Sequence, residues 1–174
     1  MTYQNPRVSI LMGSDSDFEV MKESLLIFKK FAVPCDVVVT SAHRTPERTA
    51  SYVRDATRNG IEAFIVGAGA AAHLAGVVAA ETVLPVIGVP ISATSLNGMD
   101  ALLSTVQMPG GIPVATMAIG KAGARNAALF VIEMMAVHDT RLRDELHAYR
   151  ENFRNAVAEK SDALQEIVRK LLDD

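Results

Sequence analysis

Short apolar runs alternate along the chain with longer segments in which apolar residues recur every three or four positions. The short runs predict buried strands, which occupy residues 8–12, 37–40, 63–66, 85–89 and 114–119. The helical spacing predicts helices from residue 17 to the proline at 34, over 46–59, 71–82 and 124–137, and from 140 to the C-terminus. Strands that alternate with helices of about ten residues or more are typical of βαβ units around a parallel sheet.

We therefore predict an α/β fold: a three-layer αβα sandwich with a parallel sheet of flavodoxin-like order, followed by a C-terminal helical extension. At 174 residues the chain is long enough for a full hydrophobic core, so we expect one domain over residues 1–174. Its core would span about residues 7–137, with a helical tail over about residues 139–174.

Two apolar features favour a homo-oligomer. The helix around residues 71–80 is apolar or small on every side, so no face of it suits water. The tail carries an apolar stripe at helical spacing, formed by Leu142, Leu146, Tyr149, Phe153 and Val157. We expect this stripe to pack on a neighbouring subunit, although docking on its own domain would also bury it.

Composition excludes several functions. The formal net charge is −3 with no basic run, so we expect no nucleic-acid partner and no anionic membrane surface. Gly, Pro or charged residues interrupt the apolar stretches before they could span a bilayer, and no secretory signal precedes Gly13. The single cysteine, Cys35, fits a reducing cytoplasm and a packing role. We therefore expect a cytoplasmic protein.

Unusual polar or glycine-rich motifs follow each of the first four predicted strands. They are GSDSD (13–17), SAHRTP (41–46), GAGAAAH (67–73) and SATSLNG (92–98). In parallel α/β sheets, ligands bind outside the carboxyl ends of the strands. The four motifs therefore predict a site at that edge of the sheet.

The GSDSD motif has two interpretations. Ser14, Ser16 and Asp17 are all suitable helix N-caps, which would explain the motif structurally. The same serines and backbone N–H groups could hold a phosphate at a helix N-terminus. Asp15 and Asp17 would repel that phosphate, so at least one must face away. A carboxylate can instead accept hydrogen bonds from ribose hydroxyls, which favours a nucleotide.

In SAHRTP, Thr45 could cap the following helix with Pro46 at its first position. This leaves Ser41, His43 and Arg44 without a structural role. Arg44 can clamp a phosphate through two N–H groups, and a histidine beside a bound substrate is the usual general acid–base near neutral pH. We predict that His43 and Arg44 are functional rather than ordinary surface residues.

The third motif has no bulky side chain before His73, which lets the backbone approach either a ligand or a packed helix. Ala72 stands where a dinucleotide fingerprint would have its third glycine, so that reading is weak. His73 fits a structural role and a substrate contact equally well. QMPGG (107–111) predicts a turn and could form a mobile flap. The histidines at 43, 73, 138 and 147 lack metal-ligand spacing, so no metal is predicted.

Taken together, these motifs resemble one enzyme family. With PVIGVP (85–90), LNGMDALLSTVQMPGGIPVAT (96–116) and IGKAGARNAAL (119–129), they are similar to the N(5)-carboxyaminoimidazole ribonucleotide mutases, the class I enzymes of bacterial-type purine biosynthesis. The resemblance covers residues 7 to about 137. Two positions depart from the family pattern: Ala70 stands where glycine is usual, and Ala75 where proline is usual.

The resemblance implies an isomerase that moves a carboxylate from the exocyclic nitrogen of its ribonucleotide to ring carbon C4. Carbon dioxide would be a trapped intermediate, no ATP, metal, biotin or other cofactor would take part, and the enzyme would be an octamer. His43 would be the general acid–base. The substrate-binding residues would be Ser16, Ser41 and Arg44 at the phosphate, Ser14 and Asp17 at the nucleotide, and Gly69, Ala70 and His73 around the aminoimidazole and carboxylate.

Two alternatives remain at this stage. A class II enzyme, which carboxylates aminoimidazole ribonucleotide directly with CO2, typically has lysine where this chain has Arg44. A non-catalytic nucleotide-binding module of flavodoxin-like fold would explain GSDSD, but it would leave His43 beside Arg44 unexplained.

Overall fold

A single parallel sheet forms the centre of the protein in the computed structural model, which describes residues 5–173. The strands are β1 (Val8–Met12), β2 (Cys35–Val39), β3 (Ala63–Gly69), β4 (Val86–Ile91) and β5 (Ala115–Thr116). Their order is β2-β1-β3-β4-β5, and every pair is parallel. This is the flavodoxin-like order, so the predicted fold class is confirmed.

Six α-helices are present in the described part of the chain. They are α1 (Phe18–Lys30), α2 (Pro46–Arg58), α3 (Leu74–Glu81), α4 (Met99–Val106), α5 (Lys121–Ala136) and α6 (Thr140–Asp173). A short 3-10 helix, Asp15–Asp17, leads into α1. The predicted helices are confirmed, with boundaries that move by up to three residues for the internal ones.

Several details differ from the prediction. Strand β2 begins at Cys35 rather than at 37, and β3 continues to Gly69 rather than ending at 66. Helix α4 occupies eight residues for which no helix was predicted, directly after Gly98 at a φ of 86°. Helix α3 begins at Leu74 rather than at 71, because the chain turns through Ala70 at a φ of 53°. Strand β5 keeps only two of the six predicted residues, although the Met117 N–H still donates to the Gly88 carbonyl at 2.9 Å.

The sheet is covered by helices on both faces. On one face the Ser24 hydroxyl of α1 donates to the Ala124 carbonyl of α5 at 2.6 Å. On the other face a buried cluster joins Val53 of α2, Phe64 of β3 and Val78 of α3. Both faces of the central strands are therefore buried, as the continuous apolar runs predict for a parallel sheet.

The chain divides after Val131 into two compact units. The second unit contains the end of α5 and the 34-residue helix α6, in which Leu142 and Leu146 are buried and every described side chain from Arg150 onward is exposed. The single domain over 1–174 stays a prediction, and its residues 1–4 and 174 lie outside the described part. No helix within residues 5–173 is long and apolar enough to cross a membrane.

Cys35 is buried at the start of β2, in agreement with a packing role. Burial, assisted by the neighbouring Asp36 carboxylate, raises the pKa of its thiol to about 11. Because the thiolate is the reactive form of cysteine, this thiol is protonated and unreactive at neutral pH.

The turn between β1 and α1 is closed by its own side chains. The Ser14 hydroxyl accepts the Ser16 N–H at 3.3 Å, and the Asp17 Oδ2 atom accepts the Ser14 N–H at 3.1 Å. These bonds form a capping box, which satisfies N–H groups that the start of a helix leaves free. Asp17 is only 7% exposed, and burial raises the pKa of its carboxyl even though the Ser14 and Gly13 N–H groups act to lower it.

Substitution of Gly88, in the middle of β4, tests how tightly the helices pack on the sheet. A Cβ atom at this position would overlap the Thr105 methyl group and lie 3.0 Å from Val114 Cγ1. We expect Gly88→Ala to lower the free energy of unfolding in urea by about 1–3 kcal/mol, since overpacking of a buried site costs that much. Adding Thr105→Ser, which removes the methyl group but keeps the hydroxyl, should recover part of the loss.

Gly110→Ala is the control, because open space surrounds that glycine and its backbone is not in the left-handed region. Its effect should stay within about 0.5 kcal/mol. Equal stability of Gly88→Ala and the wild-type protein would contradict the packing described for β4 and α4.

The raised pKa of the Asp17 carboxyl predicts that the stability of the fold depends on pH. A carboxyl whose pKa is raised by folding binds protons more tightly in the folded state, so its contribution to stability falls as pH rises through that interval. Asparagine keeps an oxygen for the Ser14 N–H but does not ionise. We expect Asp17→Asn to be more stable than wild type at neutral pH, by a margin that shrinks on acidification and vanishes below 3.8, the ordinary pKa of the group.

Denaturant titrations across that pH range measure the margin. A stability margin for Asp17→Asn that grows toward acidic pH would show that the buried carboxylate stabilises the fold.

Candidate functional site

One cavity of about 360 Å³ opens at the carboxyl ends of β1, β2 and β3. All nine site residues predicted from the sequence line it, namely Ser14, Ser16, Asp17, Ser41, His43, Arg44, Gly69, Ala70 and His73. They come from the ends of these strands and the three loops that follow them. Six further residues line the cavity without having been predicted as site residues, and all but Leu74 lie within the four motifs: Gly13, Ala42, Ala68, Ala71, Leu74 and Ala93.

Arg44 connects the loops after β1 and β2. Its Nη2 atom donates to the Gly13 carbonyl at 3.0 Å, and its backbone N–H donates to the Ser41 hydroxyl at 3.2 Å. The guanidinium has five N–H donors, so this bond leaves others free to meet an anion in the cavity. Arg44 is therefore placed to hold an anion and to fix the spacing between the two loops.

The hydrogen bonds that hold the loop before α2 differ from those predicted. Thr45 occupies the N-cap position and Pro46 the first helical position, as predicted, but the Thr45 side chain does not cap the helix. Its hydroxyl instead accepts the Ser41 N–H at 3.0 Å. Thr40 and Thr49 share a buried hydroxyl–hydroxyl bond of 2.7 Å beneath the loop. Threonine hydroxyls therefore shape the backbone that carries His43 and Arg44.

The two serines of the first loop hydrogen-bond within that loop. The Ser16 hydroxyl donates to the Ser14 hydroxyl at 2.9 Å, and the Ser14 hydroxyl donates to Asp15 Oδ1 at 3.1 Å. Hydroxyl groups can rotate, so these donors can turn toward a bound anion. Asp15 is exposed and is not among the lining residues, whereas the Asp17 carboxylate lines the cavity while it accepts the Ser14 N–H. One of the two acids thus lies outside the cavity, as the sequence analysis required.

His43 and His73 meet in the cavity, although they are 30 residues apart. The His43 Nε2 atom lies 2.8 Å from His73 Nδ1, and the rings are edge-to-face with centroids 4.9 Å apart and planes at 76°. The sequence left open whether His73 is structural or contacts a substrate. The structure places it on the cavity wall, in direct contact with the predicted acid–base residue.

Small residues form the floor of the cavity. A Cβ atom on Gly69 would lie 2.6 Å from the Ala93 Cβ atom and 3.1 Å from the Ile91 carbonyl oxygen. Ala70 follows with a φ of 53°, a left-handed conformation that glycine adopts without steric cost and alanine does not. This strain fits the departure from the family pattern noted at Ala70. Ala93 was missed because alanine carries no chemical signal, although its segment follows β4.

A second cavity of about 290 Å³ adjoins the first and shares Gly13, Ser41 and Arg44 with it. Arg48, in the first turn of α2, also lines this second cavity. Arg48 was not predicted as a site residue, because an exposed arginine on a helix is ordinary. No group of three His, Cys, Asp or Glu side chains within residues 5–173 could hold a metal ion. The flap suggested for residues 107–111 stays a prediction.

The site thus combines an anion anchor, rotatable hydroxyl donors, a carboxylate acceptor and a pair of imidazoles around a small apolar floor. These groups can bind a phosphorylated ligand at one end and transfer protons at the other. Comparisons with known proteins agree with this interpretation of the site.

Residues 7–156 match the family described as AIR carboxylase. The N5-carboxyaminoimidazole ribonucleotide mutase of Pyrococcus horikoshii is 49% identical over 96% of this chain and 93% of its own length. The mutase of Bacillus subtilis is 52% identical over 91% of this chain and 98% of its own length.

Among solved structures, a Treponema denticola PurE2 variant superposes with a TM-score of 0.84 at 26% identity, over 92% of this chain and 99% of that one. The Treponema denticola PurE superposes with a TM-score of 0.81 at 28% identity, over 88% and 95%. The family match covers well over half of the chain, and the relatives align along nearly all of it. The chain therefore belongs to the AIR carboxylase family.

Proposed function

We propose that this protein is an N5-carboxyaminoimidazole ribonucleotide mutase, which forms the 4-carboxy-5-aminoimidazole isomer in de novo purine biosynthesis. The observation that carries the proposal is the convergence of all nine expected site residues on one cavity. Relatives that bear this name share about half of their residues with the chain over nearly its full length. The proposal needs no cofactor, since each step is a proton transfer or a transfer of CO2.

Ligand binding follows from the positions of the polar groups. The hydroxyls of Ser16 and Ser41 and the Arg44 guanidinium would hold the 5′-phosphate. Ser14 and Asp17 would contact the nucleotide, with the Asp17 carboxylate accepting a ribose hydroxyl. Gly69, Ala70 and His73 would then enclose the aminoimidazole and its carboxylate.

The chemistry uses one imidazole twice. The carbamate carbon–nitrogen bond breaks to release CO2, and His43 donates a proton to the nitrogen. The enamine-like ring carbon C4 then attacks the same CO2, forming the new carbon–carbon bond. His43 takes up the C4 proton and returns to its starting state. A small apolar floor of Gly and Ala keeps the CO2 beside C4, so recapture competes with escape.

The class II carboxylase is the alternative enzyme, and the name of the family alone does not separate the two classes. Arg44 favours the mutase, because class II enzymes typically carry lysine at that position. The mutases of Pyrococcus horikoshii and Bacillus subtilis are 49% and 52% identical to this chain. Arg44 and the identity to these named mutases both favour transfer of the substrate's own carboxylate.

We also propose a cytoplasmic homo-octamer. Apolar side chains on α4, together with Leu96 three residues before its start, recur at helical spacing and are about half-exposed: Leu96, Met99, Leu103 and Val106. Helix α6 leaves a second such group exposed, formed by Phe153, Val157, Leu164, Ile167, Leu171 and Leu172. Large exposed apolar patches usually mark protein–protein contacts. Packing of the tail on a neighbouring subunit would cover the second group.

His43→Ala should abolish turnover while folding and nucleotide binding persist, because the side chain is exposed in the cavity and takes no part in the core. We expect kcat to fall by at least about a hundredfold, within the range for a lost general acid–base. Steady-state kinetics and calorimetric titration with the nucleotide measure the two effects. His138→Ala, at an exposed histidine outside the cavity, is the control. A variant of His43 that retains a tenth of wild-type kcat would contradict an essential proton-transfer role.

Transfer of the substrate's own CO2 predicts retention of an isotope label. Substrate labelled in its carboxyl group is supplied in buffer rich in unlabelled bicarbonate, and the label in the C4-carboxylated product is measured at early times. We expect most of the label to be retained, because the clamped substrate and the small cavity leave CO2 little room to leave. Free exchange with bicarbonate would contradict the mutase assignment and favour the carboxylase.

The proposed assembly predicts a large particle in light scattering at micromolar concentration. Replacing Leu96 and Leu103 together by glutamate should shift the protein to smaller species, because charge on that face opposes its burial. Gln107→Glu, at an exposed polar residue just after α4, should leave the size unchanged. A wild-type protein that scatters as a stable monomer would refute the octamer.

A further inference from the structure

His43 and His73 are joined by a hydrogen bond whose direction matters for the reaction. The 2.8 Å separation between His43 Nε2 and His73 Nδ1 requires one nitrogen to carry the hydrogen and the other to be bare. If His43 donates, its neutral form keeps the hydrogen on Nε2 and leaves Nδ1 bare. If His73 donates, neutral His43 instead carries its hydrogen on Nδ1. His73 therefore determines which His43 nitrogen is available as a base.

Only one direction allows His43 to work as an acid and as a base without breaking this bond. Protonated His43 carries hydrogen on both nitrogens, so the bond survives in that state only if His73 Nδ1 is the acceptor. With that acceptor in place, the Nε2–H of His43 remains throughout, and Nδ1 alone gains and loses the proton. The opposite direction would require the two rings to separate, or the shared proton to move, each time His43 is protonated.

We propose that neutral His73 is a positioning residue for His43: its Nδ1 atom accepts the His43 Nε2–H, holds the ring, and directs His43 Nδ1 to the substrate. The inference rests on the proposed function, in which His43 carries the proton. It assigns to His73 a role beyond lining the pocket. The arrangement is comparable to the carboxylate of a Ser-His-Asp triad, with a neutral acceptor in place of a charged one.

Two backbone hydrogen bonds hold His73 in place. The His73 N–H donates to the Ala71 carbonyl at 2.8 Å, and the His73 carbonyl accepts the Val77 N–H at 3.0 Å as the first bond of α3. His73 is the N-cap residue of that helix, so its backbone position is set by the helix start. A residue anchored in this way can hold its ring in place as an acceptor for His43.

The charged groups that line the cavity form hydrogen bonds with backbone groups rather than with the His43 ring. The Arg44 guanidinium donates to the Gly13 carbonyl, and the Asp17 carboxylate accepts the Ser14 N–H. Among the residues that the structure describes, His73 is the hydrogen-bond partner of the His43 ring. His73 is therefore the group placed to determine the tautomer of His43.

Two variants of His73 separate positioning from packing. His73→Asn offers a carbonyl oxygen near the place of Nδ1, so it can still accept the Nε2–H. His73→Phe fills the space of the ring but accepts nothing. We expect the phenylalanine variant to lose about ten- to a hundredfold in kcat and the asparagine variant to recover most of that loss, whereas any change in KM from the lost pocket wall should be shared by both variants. Equal kcat in both variants, or a change confined to KM, would overturn the proposal.

Nitrogen-15 NMR of the His43 ring in the substrate-free protein tests the same point without any activity. Wild type and His73→Asn should hold neutral His43 as the Nε2–H tautomer, whereas His73→Phe should give a mixture. His43 with its hydrogen on Nδ1 in the wild-type protein would overturn the proposal, even if neither variant folded. Because this readout needs no turnover, a protein that fails to convert the ribonucleotide would refute the proposed function and leave the tautomer result to be judged separately.

Discussion

The parallel alignment of three neighbouring strands is the constraint on which the site depends. Met12, the last residue of β1, pairs with Val39 at the end of β2 and with Gly67 near the end of β3. The three following loops therefore leave the sheet at nearly the same height and meet over one cavity. Hydrogen bonds between parallel strands hold this alignment, and helices on both faces bury it. The strand alignment thus brings together groups that are far apart in sequence.

Side-chain hydrogen bonds then connect the loops that follow the three strands. Arg44 bonds the first loop to the second, and His43 bonds the second to the third. Asp17 is held in a buried position that raises the pKa of its carboxyl, and Ala70 adopts a left-handed backbone. Unfavourable features of this kind cluster at functional sites, where the surrounding structure maintains them. Their presence at the cavity, on the last turns before α1 and α3, fits a site selected for chemistry at some expense of stability.

Much of this architecture was predictable because its signals are local. The apolar runs predicted the strands, and the polar motifs that follow them predicted a site at that edge of the sheet. The family resemblance completed the set of nine residues, to which it added Gly69 and Ala70. Helix α4 was missed although Leu96, Met99, Leu103 and Val106 do recur at helical spacing, since glycine and proline turn signals surround so short a segment. The redirected Thr45 side chain was not predictable, because its partner depends on the path of the loop. The contact between His43 and His73 joins two loops, so no spacing within the sequence encodes it.

The central claim is that this cavity isomerises a carboxylated ribonucleotide rather than carboxylating its precursor. The most direct measurement supplies one enzyme preparation with N5-carboxyaminoimidazole ribonucleotide, or with aminoimidazole ribonucleotide and dissolved CO2 at ambient levels. The rate at which the C4-carboxylated product appears is then compared. We expect efficient conversion of the first substrate and little of the second. Efficient turnover of aminoimidazole ribonucleotide with ambient CO2, or no conversion of the carboxylated substrate above its spontaneous rate, would contradict that claim.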